Sequence, residues 1–113
     1  MISFSLITNR PEKFKRFCHL FANINIGNCI VAAQVQDPFT QKDIWECESI
    51  LDGVQLRTQH HPSYLLPDGR IDVAQARMDA HELTGDCEYV VVCDDDTKFK
   101  SVDQTAFEWS AAD

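Results

Sequence analysis

Cys29-Ile30-Val31-Ala32-Ala33-Gln34-Val35 is a short, nearly continuous apolar run closed by Asp37-Pro38. A strand covered on both faces reads this way, and that is how strands of a parallel sheet look. Working back from it, residues 2–7 are apolar and β-prone. Thr8-Asn9-Arg10-Pro11 breaks that run, and Pro11 suits the first turn of a helix. Phe14, Phe17, Cys18 and Phe21 then recur at i, i+3, i+4 and i+7, so they share one helical face, with Lys13, Lys15 and Arg16 pointing elsewhere. This first helix is expected to end near residues 24–27.

Working forward, Thr40 followed by Asp43 resembles a capping signal. A helix from about Gln41 buries Ile44, Cys47 and Leu51 and stops at Gly53. Residues 54–58 alternate apolar and polar, giving a third, weaker strand. Residues 59–68 hold two prolines and two histidines without periodicity and read as a loop. The helical period returns from Ile71 through Ala74 and Met78 to about Leu83, with Gly85 as its C-cap, and residues 89–93 form the strongest strand. Strands alternating with helices at this spacing predict an α/β fold, doubly wound, with a mostly parallel sheet and helices on both faces. Ligands of such sheets bind at the carboxyl ends of the strands, here 8–11, 36–38, 59 onward and 94–96.

A chain of 113 residues with 44% hydrophobic content is the size of one compact domain, and no repeat or low-complexity linker divides it. Its net charge of -8 disfavours nucleic acid and anionic membranes as partners, because both need a basic surface. No stretch approaches the roughly 18 apolar residues of a transmembrane span, and no basic stretch precedes the first apolar run. Five cysteines in no paired spacing read as reduced thiols, and the expectation is a cytoplasmic protein.

Asp94, Asp95 and Asp96 follow the last strand directly. Three adjacent carboxylates repel one another, and a divalent metal is one remedy. Alternation along an extended strand puts Asp94 and Asp96 on one side and Asp95 on the other. Hard oxygen ligands suit Mg2+ or Mn2+, which complete their shells with water and substrate phosphate, so a phosphate-bearing substrate follows. The alternative is a solvated acidic turn.

Four pieces together resemble the N-terminal, nucleotide-sugar-binding half of family-two-like glycosyltransferases of the GT-A fold, which is itself Rossmann-like. They are Ile7-Thr8-Asn9-Arg10-Pro11, Asp37 after the second strand, Ala76-Arg77, and Gly85-Asp86-Cys87-Glu88-Tyr89-Val90-Val91-Val92-Cys93-Asp94-Asp95-Asp96. The last matches the family's glycine, glutamate, aromatic, apolar strand and DxD signature. The resemblance implies that Thr8, Asn9, Arg10 and Asp37 border the nucleoside, with Asp37 facing the base. It implies that Arg77 adds a cation near the phosphates, and that Asp94 and Asp95 line the nucleotide, with Asp94 on the ribose side. Asp94 and Asp96 would hold the metal, Mn2+ or Mg2+, that bridges the diphosphate of a UDP- or GDP-sugar. Each has a second reading: Asn9 as a helix cap, Arg77 as a solvated helix residue, Asp37 as the start of a turn.

Arg10, Arg70 and Lys98 are further phosphate candidates, while His60 and His61, with no matching acidic partner in the sequence, read as solvent-facing. The family carries its acceptor site and general base well beyond the DxD strand. The expectation is therefore a fragment or truncated form without the acceptor half, and neither Glu108 nor Asp103 is assigned as base. Two readings stand beside the transferase. One is a noncatalytic sugar-nucleotide binding module; the other is an interaction protein that has kept only the fold and self-associates.

Overall fold

The computed structural model describes residues 1–23, 28–62, 66–70 and 72–97. The elements run β1 (Ile2–Thr8), α1 (Pro11–Ala22), β2 (Cys29–Gln36), α2 (Gln41–Ile50), β3 (Gln55–His61), α3 (Val73–Glu82) and β4 (Tyr89–Val92). All four strands are parallel, in the order β3-β2-β1-β4. The α/β, doubly wound architecture expected from the alternation is therefore the one observed, with three helices flanking the sheet.

The register explains the core. Phe4 lies level with Val31, Leu56 and Val91, so these face one side, where Leu6, Ala33 and Val35 also lie. Against them pack Phe14, Phe17, Cys18 and Phe21 of α1, with Ile44 and Cys47 of α2, in one buried cluster. The rings of Phe4 and Phe21 meet edge-on at 4.8 Å, a geometry that favours the positive edge of one ring against the face of the other. Between α1 and α2, the Lys15 ammonium reaches Asp43 at 2.9 Å and Glu46 at 2.8 Å.

The opposite face carries mainly small and polar residues, Ser3, Ser5, Ala32, Gln34 and Gln36, together with Ile30, all of them buried. Two crossovers carry the chain from β1 to β3, and the third reverses direction to reach β4; with the right-handed connection usual for parallel strands, that reversal puts α3 on this second face. Ala76 and Ala80 are the residues α3 buries. Here the sequence reading is corrected: Ala74 is exposed and Met78 is 59% exposed, because the helix packs on the sheet through its smallest side chains, Ala76 and Ala80. Asp72 caps this helix by accepting from the Gln75 amide at 3.1 Å. At its other end Arg57 donates to the carbonyls of Leu83 and Thr84, and Gly85 turns the chain at φ +60°. Ile71 lies outside the described residues, as do residues 24–27, where the end of α1 was expected.

A second correction concerns β3. Gln59, His60 and His61, read as loop, extend the strand through pairing with Gln34, Val35 and Gln36. Backbone pairing with a fully buried neighbour outweighs the weak strand preference of those side chains. The capping signal at α2 is as read: Asp43 N donates to Thr40 Oγ1 at 3.2 Å, and Thr40 N to Asp43 Oδ2 at 2.9 Å. All five cysteines are free, four of them buried. Among the described residues no helix is long and apolar enough to cross a membrane.

Candidate functional site at the carboxyl end of the sheet

β1 has β2 on one side and β4 on the other, and the chain leaves it toward β2 but enters β4 only after reversing. The carboxyl ends of β1 and β4 thus flank the point where strand order switches, the place where open α/β sheets form a crevice. Thr8 and Arg10 come from β1 and its exit, Asp94 and Asp95 from the turn after β4.

Asp95 is the centre of the cluster. It is 4% exposed and accepts from Thr8 Oγ1 at 2.8 Å and from Arg10 Nε at 3.0 Å, while Arg10 Nη2 bonds its other oxygen. The Arg10 amide in turn donates to Thr8 Oγ1 at 3.2 Å. Arg10 is held further into its charged form by the hydrogen bond to Asp95, aided by the charges of Asp96 and Asp94. Arg77 reaches over from α3, donating to the Cys93 carbonyl at 3.3 Å and to Asp94 Oδ1 at 2.9 Å. The three carboxylates sit in a turn rather than in the strand. Thr97 closes it, its amide donating to the Asp94 carbonyl at 3.1 Å and its hydroxyl accepting from the Asp94 amide at 2.9 Å. Asp94 and Asp96 are exposed and Asp95 is turned inward.

The remedy for adjacent carboxylates is therefore in part internal: Arg10 matches Asp95 and Arg77 matches Asp94. Among the described residues no group of three His, Cys, Asp or Glu side chains converges on one point that could hold a metal. An ion of the Mg2+ kind takes one or two carboxylates and fills its shell with water and phosphate, and Asp94 and Asp96 are the exposed carboxylates of this turn. Asp94 keeps Oδ2 outside its bond to Arg77, and Asp96 has no ion-pair partner among the described residues.

No family model matches this chain, and neither does any curated protein or solved structure. The site stands on its own geometry.

Of the remaining candidates, Asp37 lies beyond β2, its amide donating to the Pro62 carbonyl at 3.3 Å. Its Oδ1 pairs with His60 Nε2 at 2.9 Å, so the acidic partner that the sequence did not reveal is Asp37 itself, brought alongside by the register of β2 and β3. Asn9 is exposed and does not cap α1, whose N-cap position is Arg10 without a side-chain cap bond. Arg70 is bound to Asp68 within its own turn at 2.6 Å, which leaves it a local role. Lys98, Asp103 and Glu108 lie outside the described residues. The sequence reading passed over a cleft of about 310 Å³ lined by Lys13, Arg16, Phe17, Leu20, Asp95, Asp96 and Thr97. The signal available for it was two cations at i, i+3 on the helix that follows β1.

Proposed function

We propose that the chain binds a nucleotide-diphospho-sugar at the carboxyl ends of β1, β2 and β4, as the donor-binding half of a GT-A type glycosyltransferase. The observation that carries this reading is the meeting of Thr8, Arg10 and Asp95 with Asp94 and Arg77 at the switch point of a parallel, doubly wound sheet. In it, Asp37 presents an acceptor to N–H groups of the base, and Arg77 and Arg10, each paired with a carboxylate of the turn, border the phosphates. Asp94 and Asp96 would hold Mn2+ or Mg2+. When bound, such an ion stabilises the leaving nucleoside diphosphate as negative charge develops.

The test is calorimetric titration with UDP and with GDP, with and without manganese, on the chain and on an Asp94→Asn/Asp96→Asn variant. The expected outcome is manganese-dependent binding that the variant loses. Absence of nucleotide binding under either condition contradicts the reading.

One observation favours a second reading, an interaction protein that has kept the fold. Val92 at 64% and Tyr89 at 45% exposure leave apolar surface on β4, the edge strand among the described residues. Dimerisation in sedimentation runs, without nucleotide binding, is what this alternative predicts.

A further inference from the structure

Among the described residues most of the lysines and arginines are already committed. Arg10 is bound to Asp95, Arg77 to Asp94, Arg70 to Asp68 and Lys15 to Asp43 and Glu46, while Arg57 holds the carbonyls at the end of α3. Among the described residues Lys13, Arg16 and Lys42 form no ion pair. Two of those three, Lys13 and Arg16, line the same cleft. Spacing of three places them one turn apart on one side of α1.

The remaining walls define what fits between them. Phe17 and Leu20 give an apolar floor, which lowers the local dielectric and strengthens charge interactions above it. Asp95 contributes little net charge, since Arg10 is bound to it, so among the described lining residues the two cations are set against the charge of Asp96. Ligand pockets run from roughly 300 to 1,000 Å³, and a cleft of about 310 Å³ is at the small end, the size for one polar group of a ligand rather than a whole sugar nucleotide. An arginine fork and a lysine point charge together suit phosphate oxygens. A net charge of -8 argues that the phosphate is soluble rather than in an anionic membrane.

We infer that this cleft binds a diphosphate group through Lys13 and Arg16, with Asp96 on the facing wall taking the divalent ion that accompanies it. The inference rests on the nucleotide reading for which compound carries the diphosphate, and not for the site. It assigns to α1 a phosphate role that the motif residues alone do not.

The experiment titrates the full chain with inorganic pyrophosphate in magnesium, and separately with UDP, using wild type, Lys13→Met/Arg16→Met and Lys13→Arg/Arg16→Lys. Both positions are exposed, and unchanged far-ultraviolet circular dichroism and melting establish that the variants fold. Pyrophosphate is expected to bind wild type, to weaken by roughly tenfold or more in the methionine variant, and to be largely kept in the charge-preserving one. Equal pyrophosphate affinity in wild type and the methionine variant, or no binding by wild type, overturns it. Pyrophosphate binding lost in the methionine variant while UDP binds neither protein sinks the nucleotide reading and leaves this inference standing. UDP bound equally by both proteins, with pyrophosphate affinity unaffected, does the reverse.

Discussion

Asp95 shows how a single buried charge organises the site. A carboxylate 4% exposed needs donors on both oxygens, and Thr8 and Arg10 supply them from β1 across the sheet. Replacing Thr8 by Val keeps shape and removes one donor. The expected loss is about 1–2 kcal/mol of unfolding free energy, read by urea denaturation, since a buried charged acceptor is left short of a partner. Arg10→Ala is expected to lower the melting temperature through loss of the Asp95 pairing and, on the proposed reading, to weaken nucleotide binding as well. The thiols give an independent check on burial. Burial pushes the Cys93 thiol up to about 12, and burial raises Cys29 as well. Cys87 is the one cysteine not buried. A disulfide reagent at mild pH is therefore expected to titrate one thiol rapidly in the folded chain and five in denaturant, and labelling mapped by mass spectrometry should fall on Cys87.

At the scale of elements, α2 and its tie to α1 make the sharpest predictions. Thr40→Ala removes the acceptor for the Asp43 amide and is expected to cost about 1 kcal/mol, measurable by the same denaturation curves. The Asp43 carboxyl is held below its ordinary 3.8 chiefly by its bond to the Lys15 ammonium, with the Thr40 amide adding to it. A lowered carboxyl contributes stability that is whole above its ordinary value and is lost as pH falls through the lowered one. Lys15 is raised above its ordinary 10.5, first by Glu46 and then by Asp43, so its share persists through neutral and moderately alkaline pH. Melting temperature is accordingly expected to fall below pH 3.8, and a Lys15→Met variant should show a shallower acid limb.

The same elements show what the sequence could reveal. Phe14, Phe17, Cys18 and Phe21 announced the buried face of α1, and the Thr40 and Asp43 pair announced α2, because periodicity and capping are local. Gln59 to His61 did not announce a strand, since their strand state comes from pairing with Gln34 to Gln36, which no local pattern records. Met78 misled for a related reason: the side α3 turns to the sheet is set by close packing through Ala76 and Ala80, which periodicity alone does not choose. The acidic turn was legible as a candidate site, but its two arginine partners lie 85 and 17 residues away in sequence.

For the molecule as a whole, strand order is what turns scattered polar residues into one site. The order β3-β2-β1-β4 puts the ends of β1 and β4 side by side, so Thr8 and Arg10 meet a turn more than eighty residues later in the chain. It also separates the two faces. One holds the phenylalanine core, and the other is a thinner layer under α3 with Val92 and Met78 exposed. Phe4→Ala, at the centre of the first, is expected to lose about 3–5 kcal/mol by denaturation, enough to unfold much of a marginal domain. The account's central claim is that ligand binds at the switch point. It is tested most directly by titrating the isotopically labelled chain with UDP in magnesium and following the backbone amide resonances. The predicted result is shifts gathered at Thr8, Asn9, Arg10, Asp37, Arg77 and 94–97. Shifts absent at saturating UDP, or gathered on the exposed side of α3 around Met78 and Glu82, would contradict it.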